Sequence, residues 1–197
     1  MPAIFKVTES SDNGLGNTVG SLSWAIKQAN QTPGADEIEI TNDVRLNLDP
    51  SLKRMQTLIN SDIVIKGGGH SISGDNDNDG VLDTNGEDRP ILFIKSGNVT
   101  LENLTLDNGV AKGGSSNRGG GGAGMGGGLF MYSGAVTLRN VVFNNNIALG
   151  GSGGLPGSGA GGGMGGSAFG YGGASLFRNS YSSYGAYGRA VSFYVCS

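Results

Sequence analysis

Apolar and polar residues alternate along two stretches, 90–109 and 127–146, that are near copies of each other at a spacing of 37 residues. The apolar positions are Val99, Leu101, Leu104 and Leu106 in the first copy and Val136, Leu138, Val141 and Phe143 in the second. This alternation predicts half-buried strands with these side chains pointing inward. In both copies it slips by one residue at an asparagine, Asn103 or Asn140, which indicates a bend.

The repeat extends in both directions. Upstream, residues 61–74 place Ile63 and Ile65 36 residues before Val99 and Leu101. Downstream, residues 167–180 carry a copy at a spacing of 39 that puts Asn179 at the bend. A period of this length is typical of arrays whose units stack to bury their apolar faces. The pattern therefore predicts an all-β fold, a parallel β-solenoid in which the bend asparagines form a ladder. An antiparallel two-sheet fold with glycine-rich hairpins is the alternative, but it does not explain the period.

Residues 1–60 differ from the repeats. A strand is expected at Ile4–Val7, and SLSWAIKQAN (21–30) predicts an amphipathic helix ended by Pro33-Gly34. Further strands are expected around Ile38–Ile40 and Val44–Leu48. The predicted organisation is an N-terminal cap over 1–60, solenoid turns over 61–180, and an irregular or truncated tail over 181–197. The helix would cover the otherwise exposed end of the stack.

Twenty-five of the 39 glycines lie within 113–173, mostly in two runs at 113–128 and 150–166. Runs of this length are typical of flexible loops between the turns. They lack the aspartate of the calcium-binding nonapeptide G-G-x-G-x-D, and they lack the Lys-Ser/Thr of a phosphate-binding loop. The sequence therefore predicts no metal or nucleotide site there.

The sharpest candidate site is the acidic segment 75–88. Asp75, Asp77 and Asp79 alternate and are followed by Gly80, which matches the first six positions of an EF-hand loop. The remaining ligands would be the Val81 carbonyl and the Asp83 and Glu87 carboxylates, although Gly86 occupies the twelfth position, where an EF-hand has glutamate. Because the flanks read as strands, we expect a Ca²⁺ loop outside an EF-hand, with a Kd on the order of 10⁻⁴–10⁻³ M. A solvated acidic turn is the alternative.

Composition narrows the classes of partner. The net charge is −3 with 13 basic and 16 acidic residues, and no basic patch favours nucleic acid. No apolar stretch is long enough for a membrane span, and the N-terminus has no apolar signal-peptide core. We therefore expect either an unconventional export signal or a chain cut from a longer protein. Cys196 is the single cysteine, so an intrachain disulfide is excluded.

Catalysis needs several outward carboxylates on adjacent turns, and the repeats do not supply them. Glu102 falls opposite Arg139, which favours a cross-turn ion pair, and Asp107 falls beside Asn144. The single histidine, His70, reads as a hydrogen-bonded surface residue without metal-ligand spacing around it. We therefore expect no enzyme, with a pectate-lyase-like, polysaccharide-active enzyme as the alternative.

The segment GSLSWAIKQAN (20–30), followed by GADEIEI and IVIKGGGHSISG, resembles the N-terminal segment of bacterial, especially cyanobacterial, surface proteins with right-handed parallel β-helix repeats. Their usual motif is C-S-L-R-E-A-I-x-x-A-N; here Gly20 replaces the cysteine, and Ser23-Trp24 replaces Arg-Glu. FNNN (143–146) and the glycine clusters are similar to repeats of polymorphic outer-membrane proteins. The resemblance covers about 1–180.

This resemblance implies a right-handed, single-stranded parallel β-helix with a short capping helix. It also implies a secreted or cell-surface protein associated with the outer membrane, adhesin-like or related to haemolysin-type calcium-binding proteins. The expected function is thus structural or adhesive, with a cell-surface glycan or protein as partner and Ca²⁺ held by the loop 75–88.

Overall fold

The computed structural model describes residues 2–47, 58–82, 89–116 and 119–154. In these ranges it contains one helix, α1 (Leu22–Gln31), and thirteen strands. The predicted copy at 167–180, the tail at 181–197 and most of the glycine run 150–166 lie outside the described residues.

The strands follow one another at regular intervals and pair in parallel. They are β1 (Ile4–Val7), β2 (Ser11–Asp12), β3 (Asp36–Ile40), β4 (Val44–Leu46), β5 (Leu58–Ile59), β6 (Ile63–Lys66), β7 (Ser71–Ser73), β8 (Leu92–Ile94), β9 (Asn98–Asp107), β10 (Val110–Lys112), β11 (Leu129–Met131), β12 (Ala135–Asn144) and β13 (Ile147–Leu149). Each strand pairs with the equivalent strand of the next turn, which makes a β-solenoid of about four turns. The predicted solenoid is confirmed.

The described strands form three sheets. The largest has the order β1-β3-β6-β9-β7-β4-β2, with β12 pairing on β9; the others are β5-β8-β11 and β10-β13. β9 is long enough to pair with both β6 and β7, because it continues through the bend at Asn103. The register places β12 on β9 with Leu138 opposite Leu101, as the spacing of 37 residues predicts.

The core is made of apolar columns in which each turn adds one side chain. One column runs Phe5, Ile38, Ile65, Leu101 and Leu138. A second runs Val44, Ile72, Leu106 and Phe143. The predicted inward residues of the first copy, Val99, Leu101, Leu104 and Leu106, are all buried. Burial between stacked turns removes this apolar surface from water, which drives the stacking.

The helix α1 packs on the first turns through its apolar face. Leu22, Ala25, Ile26 and Ala29 are buried in the core. The Ser21 hydroxyl caps the helix by accepting from the Trp24 N–H at 3.3 Å, and the buried Asp12 carboxylate accepts from the Ser23 N–H at 2.6 Å. A negative charge at this end complements the helix dipole. No helix in the described part of the chain has the length and apolarity needed to span a bilayer.

The bends carry the asparagine ladder that the repeat predicts. Asn103 and Asn140 adopt left-handed backbone conformations, with φ of 49° and 51°. The Asn140 side-chain amide donates to the Asn103 side-chain oxygen at 2.9 Å. Asn179, the third predicted member, lies outside the described residues.

A column of alternating charge runs along the outer face of the same sheet. The residues in register are Lys6, Glu39, Lys66, Glu102 and Arg139. Ion pairs join Lys6 to Glu39 at 3.5 Å and Arg139 to Glu102, which confirms the predicted cross-turn pair. Lys66 pairs instead with Glu37, at 2.7 Å. Because opposite charges alternate along the column, a shift in the register between strands would take these side chains away from residues of opposite charge.

The chain divides into two compact units, one made of Met1–Val110 and Gly126–Ile147 and the other of Ala111–Met125 and Ala148–Ser197. Within the described part of the second unit, backbone hydrogen bonds form inside the first glycine run and between the first run and the second. The Gly122 N–H donates to the Gly114 carbonyl, and the Gly151 N–H donates to the Gly122 carbonyl, both at 2.8 Å. The described parts of the glycine runs are thus not the flexible loops that the sequence predicts. Their backbone N–H and C=O groups form hydrogen bonds with one another, because no side chains keep them apart.

Glycine is required at several of these positions by close packing. A Cβ on Gly121 would collide with the Gly151 carbonyl, and a Cβ on Gly113 would collide with the Gly122 carbonyl. At Gly120, by contrast, a Cβ would meet nothing within 4 Å. The glycine segments therefore stack backbone on backbone, at distances that a side chain would prevent.

Candidate metal site

The acidic loop leaves the solenoid between β7 and β8. At its base, the Gly74 N–H donates to the Asp107 carbonyl at 2.9 Å, and the Arg89 N–H donates to the Gly74 carbonyl at 3.0 Å. A Cβ on Gly74 would collide with the Arg89 carbonyl. The chain therefore leaves and rejoins the stack at nearly one point, which fixes both ends of the loop.

Asp75 organises the first part of the loop from a buried position, with 6% of its surface exposed. One carboxylate oxygen accepts from the Asn78 N–H at 2.7 Å and the other accepts from the Gly80 N–H at 3.0 Å. Asn78 and Gly80 have φ of 65° and 74°, a region that asparagine and glycine tolerate best. The sequence D-x-x-N-x-G therefore wraps the backbone around the Asp75 carboxylate.

This wrapping brings three carboxylates together. Asp75, Asp77 and Asp79 each offer an oxygen, and these oxygens lie within 4.8 Å of one another. Asp77 and Asp79 are exposed, and the Asp79 carboxylate accepts from the Val81 N–H at 2.7 Å. Three oxygens this close form part of the shell that Ca²⁺ takes, since that ion binds six to eight oxygen ligands.

The electrostatics of the cluster favour a bound cation. Loss of solvation and then the charge of Asp79 raise the pKa of the Asp77 carboxyl above its ordinary value. Hydrogen bonding to Asp75 and the charge of Asp75 act in the same direction. A bound cation would act against this shift, because it favours the ionised form of the carboxyl.

The structure places the predicted ligands as follows. Asp75, Asp77 and Asp79 come together, and Val81 follows them with its side chain exposed. Asp83 and Glu87 lie outside the described residues, so their part in the site stays a prediction.

A polar groove of about 380 Å³ adjoins the loop. It is lined by Ser10, Ser11, Asp43, Val44, Arg45, Ser71, Ser73, Asp75 and Asn78. The Arg45 guanidinium donates to the Asn76 carbonyl at 2.8 Å and so ties the acidic loop to the preceding turn. The sequence analysis missed this neighbour. Arg45 pairs in register with Ser73 at a spacing of 28 residues, which is shorter than the main period, so the sequence repeat does not point to it.

His70 lies at the rim of this region. Its Nδ1 is 3.4 Å from the Asp43 carboxylate, and the Ser71 N–H donates to the same carboxylate at 2.8 Å. The hydrogen bond from the Ser71 backbone is the main cause that lowers the pKa of the Asp43 carboxyl. His70 is thus a hydrogen-bonded surface residue, as the sequence predicts.

The other carboxylates singled out from the sequence have the predicted neighbours. Glu102 pairs with Arg139, and Asp107 accepts from the Asn144 side-chain amide at 2.8 Å. Both arrangements link successive turns.

No protein-family model, curated protein or solved structure matches this chain. The resemblance to bacterial β-helix surface proteins therefore stays a prediction from the sequence.

Proposed function

We propose that this protein is a structural or adhesive β-solenoid of the cell surface or the extracellular medium, whose acidic loop binds Ca²⁺ and which performs no catalysis. The observation that carries the proposal is the convergence of the Asp75, Asp77 and Asp79 carboxylates in the first part of a loop whose base is fixed on the stack. The export and the adhesive role rest on the resemblance of the sequence alone.

Calcium is the metal that this donor set suits. All the ligands on offer are oxygens from carboxylates and a carbonyl, which favours a hard cation over zinc or copper. Asp83, Glu87 and the Val81 carbonyl would complete the shell. The ion would neutralise carboxylates that repel one another and would hold the loop in one conformation.

A fixed loop has a structural consequence for the rod. Asp75 lies two residues after the end of β7, and Arg45 of the preceding turn donates to the backbone of the same loop. Calcium binding would therefore stabilise the contact between neighbouring turns. The partner of such a rod is proposed to be a cell-surface glycan or protein.

The test is the calcium dependence of thermal unfolding, combined with calorimetric titration. Calcium should raise Tm because a ligand that binds only the folded state stabilises it. Asp77→Asn should raise Tm slightly in EDTA, because it removes a repelled charge, and should abolish most of the shift with calcium. Glu9→Gln, an exposed carboxylate outside the loop, should leave both values unchanged.

The sign of the pH dependence follows from the raised pKa of Asp77. Without a cation, this group costs stability as the pH rises through its pKa, since its ionised form is the disfavoured one. With calcium, the ionised form is the ligand. The calcium-induced rise in Tm should therefore be present above that pKa and disappear as the pH falls through it. A titration without heat, with Tm indifferent to calcium and EDTA, contradicts the calcium site.

A polysaccharide-active enzyme is the second candidate, favoured by one observation. The polar groove collects the Asp43 and Asp75 carboxylates and the Arg45 guanidinium on one side of the stack. An enzyme of this class should release unsaturated products from pectin or alginate, with and without added calcium. Asp43→Asn should abolish such turnover, whereas a purely adhesive rod shows none to abolish.

A further inference from the structure

We draw no further inference here: the strongest candidate, the polar groove that Ser11, Asp43, Arg45, Ser71 and Ser73 line across successive turns beside the acidic loop, belongs to the site already described, and nothing in the structure shows which class of ligand would cover it.

Discussion

The strand turns and the glycine segments stack by opposite means. In the strand turns, Leu101 fills the space between its neighbours in an apolar column, and side chains set the distance between the sheets. In the glycine segments, Gly121 lies so close to the Gly151 carbonyl that no Cβ fits between them. The strand turns are stabilised by the burial of apolar side chains, and the glycine segments by close backbone contacts that side chains would prevent.

This difference teaches that a glycine-rich run need not be a loose connection. Backbone N–H and C=O groups must be paired when they are brought close together, and glycine lets neighbouring segments approach until they pair with one another. The two regions should therefore respond in opposite ways to the size of a side chain. Removing atoms should damage the strand turns, and adding atoms should damage the glycine segments.

The largest expected effect is a cavity in an apolar column. Leu101→Ala should lower the free energy of unfolding by about 2–5 kcal/mol, because the site is fully buried between two turns. Leu138→Ala removes the same atoms from the same column, where the side chain is half exposed, and should cost less than half as much. Urea unfolding at low protein concentration measures both. Equal losses would mean that the last described turn is as well covered as the one before it.

A smaller effect is expected from adding one methyl group to the glycine segments. Gly121→Ala should raise the exchange rate of the Gly151 amide hydrogen about 10- to 100-fold, as overpacking costs about 1–3 kcal/mol. Hydrogen exchange followed by NMR measures this local opening. Gly120→Ala is the matched control, because its Cβ enters open space; it should leave the rate unchanged or lower it. Identical rates in the two variants would show that the segments are not closely stacked.

The smallest expected effect concerns the exposed charges. Glu102→Gln removes the partner of Arg139 and should lower the free energy of unfolding by about 0.2–1 kcal/mol at low salt. The loss should shrink in 1 M NaCl, where exposed charges are screened. Chemical denaturation at two salt concentrations measures the change. A loss that is independent of salt would assign the effect to packing of the Glu102 side chain.

The sequence predicts the strand turns well because their signal is carried by side chains. The spacing of 37 residues between Leu101 and Leu138 gives the register directly, and the bend asparagines give the ladder. β2, of two residues, is too short to show alternation. The glycine stacking is also hidden from the sequence, because contacts between backbones leave no pattern of side-chain types.

The candidate site was predictable only in part. The alternate spacing of Asp75, Asp77 and Asp79 predicts a cluster of carboxylate oxygens, because all three residues lie within one loop. Arg45 and Asp43 come from an earlier turn, and the turns differ in length, so no constant spacing points to them. A site built from nearly consecutive residues can be predicted from the sequence. Contacts between residues of different turns can be predicted only when the register between those turns is known.

The sign of the charge alternates from one turn to the next along the column of Lys6, Glu39, Lys66, Glu102 and Arg139. It therefore matters whether an odd or an even number of turns is added or removed. Deleting one internal turn would bring two residues of the same sign into contact, whereas deleting two consecutive turns would restore the alternation. Chains of this design should therefore lengthen or shorten most readily by an even number of turns. The outer face thus constrains how the solenoid can gain or lose turns, although each of its ion pairs adds little to stability.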